Sequence, residues 1–414
     1  VSLRRGLVLA AGAVAIVLLL AALAAAMLMQ PQRLARLVLG SVGDGLRLEI
    51  DFEGEARYRL RGTPMLEVHD VVARRPGDDE PLLRAARVLV SLPWSTVRDR
   101  SAPLVLQHIE LDSPALDLPR LQDWLASRPP GAGGLPTLSE GITVRDGRML
   151  AEGWELRGLE LRLPRFAADA PLAIAVAGTL AMAPPTLVHF DLHLAATRPA
   201  NGAGIGARGQ VRVEHEGWQL PAFVTASGPL HSGDGSWRIA PLRFGASAEY
   251  RGEGEPLPFT LGAHGPLRLR DGTWTLVPAI VALRGEGVVP ALDAHGRAAL
   301  GGALLLELAG AMPAWPDGWP ALPMPLRAST SPVAIELAYA GARDLSDPVT
   351  LRMERDSARA EAQARIAELF DWVDAAATGT PLPPLRARAS APRVEIPGGV
   401  LEGVEIGIEP DGAP

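Results

Sequence analysis

Apolar positions follow two regimes along this chain. The first is a single block, in which Leu7 to Met29 runs for 23 residues without a charge, mostly Leu, Ala and Val. A helix rising ~1.5 Å per residue needs about 20 such residues to cross bilayer hydrocarbon, so the block predicts a transmembrane helix. Ala24-Ala25-Ala26 would also suit a cleaved signal peptide. The apolar stretch exceeds the ~7–15 residues of a signal core, however, and an uncleaved anchor is the expectation. Gln32 to Leu39 continues as a short helix closed by Gly40 and Gly43.

The period then falls to two. Leu46, Leu48 and Ile50 alternate with Arg47, Glu49 and Asp51, and Leu66 and Val68 alternate with Glu67 and His69. Val88, Val90 and Leu92 share one parity in the next segment. Leu104 and Leu106 fall on one parity and Ile109 and Leu111 on the other, which a bulge near Gln107 and His108 reconciles. Side chains two apart on a strand point the same way, so this alternation predicts antiparallel strands with one apolar and one wet face.

From about 140 to 360 the pattern reads as one long meander. Asp234-Gly-Ser-Trp237 and Asp271-Gly-Thr-Trp274 each place Asp-Gly where a hairpin turn needs positive φ, with Trp opening the next strand. A longer repeat relates residues 115–163 to 366–409: a short amphipathic helix around Asp-Trp (Trp124, Trp372), a Pro/Gly linker, and a hairpin carrying Gly158-Leu-Glu-Leu161 or Gly403-Val-Glu-Ile406. Strand is expected up to about Arg365 and helix after it. The clearest breaks are 129–134 and the Trp- and Pro-rich 311–320, read as a packed loop. The resulting divisions are an anchor (1–31), a first β domain (32–135), a β-meander groove (136–365) and a C-terminal helix with hairpin (366–414). Roughly 20–24 strands at ~4.8 Å spacing predict a sheet about 100–115 Å long.

Composition narrows the chemistry. Cysteine is absent, which removes disulfides, thiolate metal sites, a Cys nucleophile and a lipidated Cys. The net charge is −7, there is no lysine, and Arg residues stand singly without aromatic interleaving, so no nucleic-acid partner is expected. Gly204-Ile-Gly-Ala-Arg-Gly209 matches the letters of a dinucleotide fingerprint but leads into a strand-like Gln210-Val-Arg-Val-Glu214 rather than opening a helix. His189, Asp191 and His193 share a strand face opposite Val188, Phe190, Leu192 and Leu194, and read as its wet side rather than a metal site. His231, Ser232 and Asp234 cluster in a turn. No nucleophile elbow, P-loop or His-Glu-x-x-His occurs, so no catalytic, cofactor or metal residue is assigned and the chain is not expected to be an enzyme.

Specific wording appears in Met65-Leu-Glu-Val-His-Asp-Val-Val72, in Leu83-Arg-Ala-Ala-Arg-Val-Leu-Val-Ser-Leu-Pro-Trp94 and in Leu104-Val-Leu-Gln-His-Ile-Glu-Leu-Asp-Ser-Pro-Ala-Leu-Asp-Leu118, with hairpins from Leu385 to Ile408 at the far end. In these stretches the chain resembles the AsmA family of bacterial envelope proteins (AsmA-, YhdP- and TamB-like). The resemblance implies a mainly β fold: an elongated, twisted antiparallel sheet forming a taco-shell groove, opened by a domain similar to the chorein-N domain of bridge-like lipid transfer proteins. It implies a single-pass protein of the bacterial inner membrane with its bulk in the periplasm. It implies binding or transfer of phospholipid or another envelope lipid, in support of outer-membrane lipid homeostasis, with envelope proteins as further partners. Leu46, Leu48, Ile50, Val88, Val90, Leu92, Leu104 and Leu106 are the groove-lining candidates. The alternative is a non-enzymatic assembly or scaffold factor for outer-membrane or secretion proteins, working through sheet edges and loops.

Overall fold

The computed structural model describes residues 31–409 except 60, 92, 95–106, 128–137, 152, 168, 183–185, 234, 253, 344, 367, 369–383 and 397–398. Among the described residues the chain is mainly β, with 22 strands. Two compact units are distinguished, Val1–Ala167 with Ile174–Ala183, and Ala168–Ala173 with Pro184–Pro414. The predicted membrane segment, 7–29, lies outside the described residues, and no helix among those described is long and apolar enough to cross a membrane.

In the first unit, helix α1 (Pro31–Leu46) does not stop at Gly40 or Gly43 as expected. Ala35, Leu39 and Gly43 recur every four residues and make its buried stripe. A side chain at Gly43 would run into the Leu48 carbonyl. The helix closes on Arg47, which takes a left-handed φ of 55°. The Leu48 N–H donates to Gly43 O (2.9 Å) and the Arg47 N–H to Asp44 O (3.3 Å), the paired bonds of a Schellman cap. Leu46 therefore ends a helix instead of starting a strand, and alternation begins at β1 (Glu49–Phe52).

Strands β1 and β2 (Ala56–Arg59) lie end to end along β3 (Met65–Arg74), which pairs with β4 (Leu83–Ser91). Asp70, at φ 53°, shifts the buried parity of β3 from Leu66 and Val68 to Val71 and Ala73. Both halves thus face α1. Ala35 and Leu39 pack with Phe52, Ala56, Leu66, Val68 and Val71, and Ile50, Tyr58 and Val88 close around them.

Next, β4 pairs with β5 (His108–Asp112) and β6 (Ala115–Asp117), and both run parallel to β7 (Ile142–Ala151). A wholly antiparallel sheet was the expectation. The correction follows from α2 (Leu118–Ala126), because a helical crossover between β6 and β7 returns the chain to its starting side, as parallel strands require. Pairing is antiparallel again through β8 (Trp154–Leu163) and β9 (Leu172–Ala181). Trp124 of α2 donates its indole N–H to the Leu46 carbonyl at 3.0 Å, tying the end of α1 to α2.

The other face of this sheet is held by charge. Arg87, 20% exposed, donates to Asp112 (2.6 Å) and Glu110 (2.8 Å) and stands 3.6 Å from Glu67. From β7, Arg145 reaches Glu110 (3.3 Å) and Asp112 (3.5 Å). Burial pushes the Glu110 carboxyl up, but Arg87, Arg145 and His108 more than offset it and hold it below the usual carboxylate range. The network fastens β3, β4, β5 and β7 across the parallel step.

The second unit is a meander of β10 (Leu187–Ala196), β11 (Ala203–His215), β12 (Trp218–Gly233), β13 (Ser236–Tyr250), β14 (Leu257–Arg270), β15 (Thr273–Gly285), β16 (Leu292–Leu300), β17 (Leu304–Met312), β18 (Val333–Gly341), β19 (Pro348–Arg355), β20 (Ala358–Arg365), β21 (Arg386–Ile396) and β22 (Gly399–Ile408). Each pairs antiparallel with the next. The Gly204–Gly209 motif lies inside β11, and Asp271 (φ 48°) and Gly272 (φ 71°) form the expected turn. Strand β20 ends at Arg365; the helix expected around Trp372 lies outside the described residues. Gly158 and Gly403, matched in the long repeat, both have positive φ, 57° and 63°.

Replacing Arg87 with Gln leaves three carboxylates without their common cation and is expected to cost about 3 kcal/mol at neutral pH. The depressed Glu110 value contributes stability above the unfolded carboxyl value of about 4.3, and that contribution fades as pH falls through the folded value. Chemical denaturation followed by circular dichroism should therefore show the wild-type advantage over Arg87→Gln at pH 7 shrinking by pH 3. An undiminished gap at pH 3 would remove the network as its source.

Candidate functional site

Strand register decides which side chains share a face, and in the second unit it lines up one uninterrupted apolar row. From β10 to β16 the direct cross-strand partners are Leu194, Ala207, Ala226, Phe244, Ala263, Val281 and Ala294. The row continues from β17 to β22 as Gly310, Ile335, Met353, Ala360, Ala389 and Ile406. The adjacent row on the opposite face includes Arg243, His264, His295, Glu336, Arg352, Glu361 and Arg388. Thirteen strands at ~4.8 Å extend this apolar strip about 58 Å along the sheet.

Keeping parity over that distance takes corrections. Pairing shifts register between Ile239 and Leu242 and between Leu276 and Ala279, at Pro241 and Pro278, four residues after Trp237 and Trp274. Proline tolerates such positions because a bulge needs no donor there. Each shift returns the residues beyond it to the face that the Trp occupies.

One segment covers part of the strip. Leu292, Trp315, Trp319, Leu351 and Met353 pack against buried Met312, Val333 and Ile335. Trp315 and Trp319 meet edge to face at 5.0 Å, and the Trp319 indole N–H donates to the Val288 carbonyl at 2.9 Å. This is the Trp- and Pro-rich loop, folded onto the sheet as expected. Elsewhere on the strip, side chains such as Phe244, Leu261, Val281 and Leu306 stay half-buried.

The sequence candidates sit elsewhere. Leu46 and Leu48 belong to the α1 cap, and Ile50 and Val88 pack into the core beneath α1. Val90 pairs with Ile109 and Val88 with Leu111 on the apolar side of β4 and β5. Leu92, Leu104 and Leu106 lie outside the described residues. The signal for the longer strip lies in the period-two pattern of 187–365, outside the stretches with family wording. His189 lies 3.2 Å from the Glu214 carboxylate on the polar face. Among the described residues no group of three potential metal ligands converges.

No family model and no curated protein matches this chain.

The candidate site is thus an apolar strip running across the strands of the second unit. Replacing Trp319 with Ala removes its packing and its bond to Val288, at an expected cost of about 2–4 kcal/mol. Hydrogen exchange should quicken in β17 and β18 while β12–β14 keep their protection. Unchanged protection in β17 and β18 would mean the loop does not seal that segment.

Proposed function

We propose that the chain is a membrane-anchored lipid-binding and lipid-transfer protein of the bacterial envelope, AsmA-like, with its bulk in the periplasm and a role in outer-membrane lipid homeostasis. The observation that carries this reading is the apolar row from Leu194 to Ile406, half-buried along much of its length and backed on its other face largely by charged and polar side chains. Soluble proteins seldom expose apolar patches beyond a few hundred Å2, and larger ones mark binding surfaces. Transfer would need no covalent step, since each methylene moved from water onto the strip contributes about 0.8 kcal/mol. The 7–29 block supplies the anchor in this reading.

A second reading, as an assembly or scaffold factor, draws on the β22 end of the second unit. Among the described residues that strand pairs only with β21, and it exposes Val400, Leu401 and Ile406. An open strand edge accepts a strand from another chain.

The test is lipid extraction and mass spectrometry on the full chain purified in mild detergent. Phe244→Asp combined with Val281→Asp should lower co-purified lipid about tenfold or more, because carboxylates against acyl chains are costly. Phe223→Asp, on the polar face and already 50% exposed, should leave it unchanged. Equal lipid in both variants, or none in the wild type, would discard the reading.

A further inference from the structure

Cations gather on the polar face beside Gly235 and the turn at 271–272. His231, Arg238 and Arg268 are successive cross-strand partners on β12, β13 and β14. Farther along the same strands, beyond the register shift, Arg243 faces His264, and Arg270 stands beside the turn itself. Arg238, Arg243, Arg268 and Arg270 are all exposed. Among the described residues no carboxylate pairs with Arg238, Arg243 or Arg268, and Arg270 has only the solvated Asp271 at 3.5 Å. Like charges placed directly opposite one another destabilise a sheet. Other arginines on this face are matched, among them Arg297 with Glu307 at 2.7 Å and Arg284 with Asp293 at 2.6 Å. Sheet stability therefore does not account for the cluster.

The same rim carries exposed aromatics on its apolar side. Trp237 (51% exposed) and Trp274 (40%) are both cross-strand from Leu269, and exposed Leu300 lies opposite Trp274. Indoles favour the headgroup level of a membrane, where the ring meets hydrocarbon and the N–H stays wet. Guanidinium groups fork onto phosphate oxygens.

We propose that the rim formed by the β12–β13 and β14–β15 hairpins docks on an anionic phospholipid surface, with Trp237, Trp274 and Leu300 entering the headgroup layer and Arg238, Arg268 and Arg270 on its phosphates. The two sets point to opposite sides of the sheet. A bilayer that receives the rim end-on engages both at once, whereas a single strand of nucleic acid or an acidic peptide lying on one face engages only one. The inference stands apart from the lipid-carrying reading, since a rim can dock whether or not the strip holds acyl chains.

The chain has no cysteine, so one can be introduced without background. At Gly233 an added Cβ meets nothing within 4 Å, and the same holds at Gly399 beside the β21–β22 turn. The full chain carrying Gly233→Cys, labelled with an environment-sensitive nitrobenzoxadiazole, is reconstituted into phosphatidylcholine vesicles with or without phosphatidylglycerol. Emission should rise and shift to the blue only with phosphatidylglycerol, and the change should reverse in high salt. With each surface arginine contributing about fivefold, Arg238→Gln, Arg268→Gln and Arg270→Gln together should lower the docked-to-undocked ratio on the order of 100-fold. Trp237→Ala with Trp274→Ala should weaken docking and keep its salt dependence. Co-purified lipid should stay at the wild-type level in the arginine variant, which separates docking from lipid carriage. Silence of the Gly233 label on anionic vesicles in a chain with wild-type circular dichroism would overturn the proposal. So would an equal response from a Gly399→Cys label, or a response to an oligonucleotide but not to the vesicles.

Discussion

The second unit rests on one constraint: the parity of apolar residues must survive every strand pairing. A slip of one residue would turn a strand's whole apolar set toward water. The row from Leu194 to Ile406 crosses twelve pairings without a charged member. Turn chemistry supplies part of the control, since Asp271 and Gly272 take positive φ where a short hairpin demands it. The proline bulges supply the rest. Without the shift between Ile239 and Leu242, Trp237 and Phe244 would lie on opposite faces, because their numbers differ in parity.

The first unit solves a different problem with different means. Its apolar side is closed by α1, and Asp70 lets both halves of β3 present Leu66, Val68 and Val71 to that helix. On the opposite side Arg87 and Arg145 share Glu110 and Asp112 across β4, β5 and β7. Partly buried ion pairs contribute to stability only when geometry and hydrogen bonding offset desolvation. Here one guanidinium serves three carboxylates, so the network specifies which strands are neighbours. That matters most at the parallel step, where no tight turn dictates register.

Much of this was legible in the alternation. Strands through the meander, the Asp271-Gly272 turn, the packed Trp loop and the short helix at Trp124 follow from period, turn residues and amphipathicity. Two features did not, for physical reasons. The end of α1 was misplaced because its left-handed residue is Arg47 rather than a glycine, while Gly40 and Gly43 sit inside the helix to allow close packing. The parallel step was missed because one short helix and a Pro/Gly linker look alike whether they join antiparallel or parallel strands. Candidate residues shared this fate: Ile50 and Val88 alternate as lining residues would, and only tertiary packing shows α1 lying over them.

The contrast between a covered and an uncovered apolar face is what gives the strip its meaning. Period two alone is satisfied equally by a sheet under a helix and by a sheet with one face open. In the second unit, one described segment is covered where Trp315 and Trp319 rest on Met312, Val333 and Ile335. If apolar burial were needed only for folding, a chain able to place two indoles so well there could have covered Phe244 and Val281 in the same manner. Leaving them half in water sacrifices stabilisation of about 25 cal/mol for each Å2 left exposed. Such a sacrifice along so many strands supports the proposed lipid-carrying reading, because hydrocarbon that comes and goes needs a face that a permanent lid would exclude.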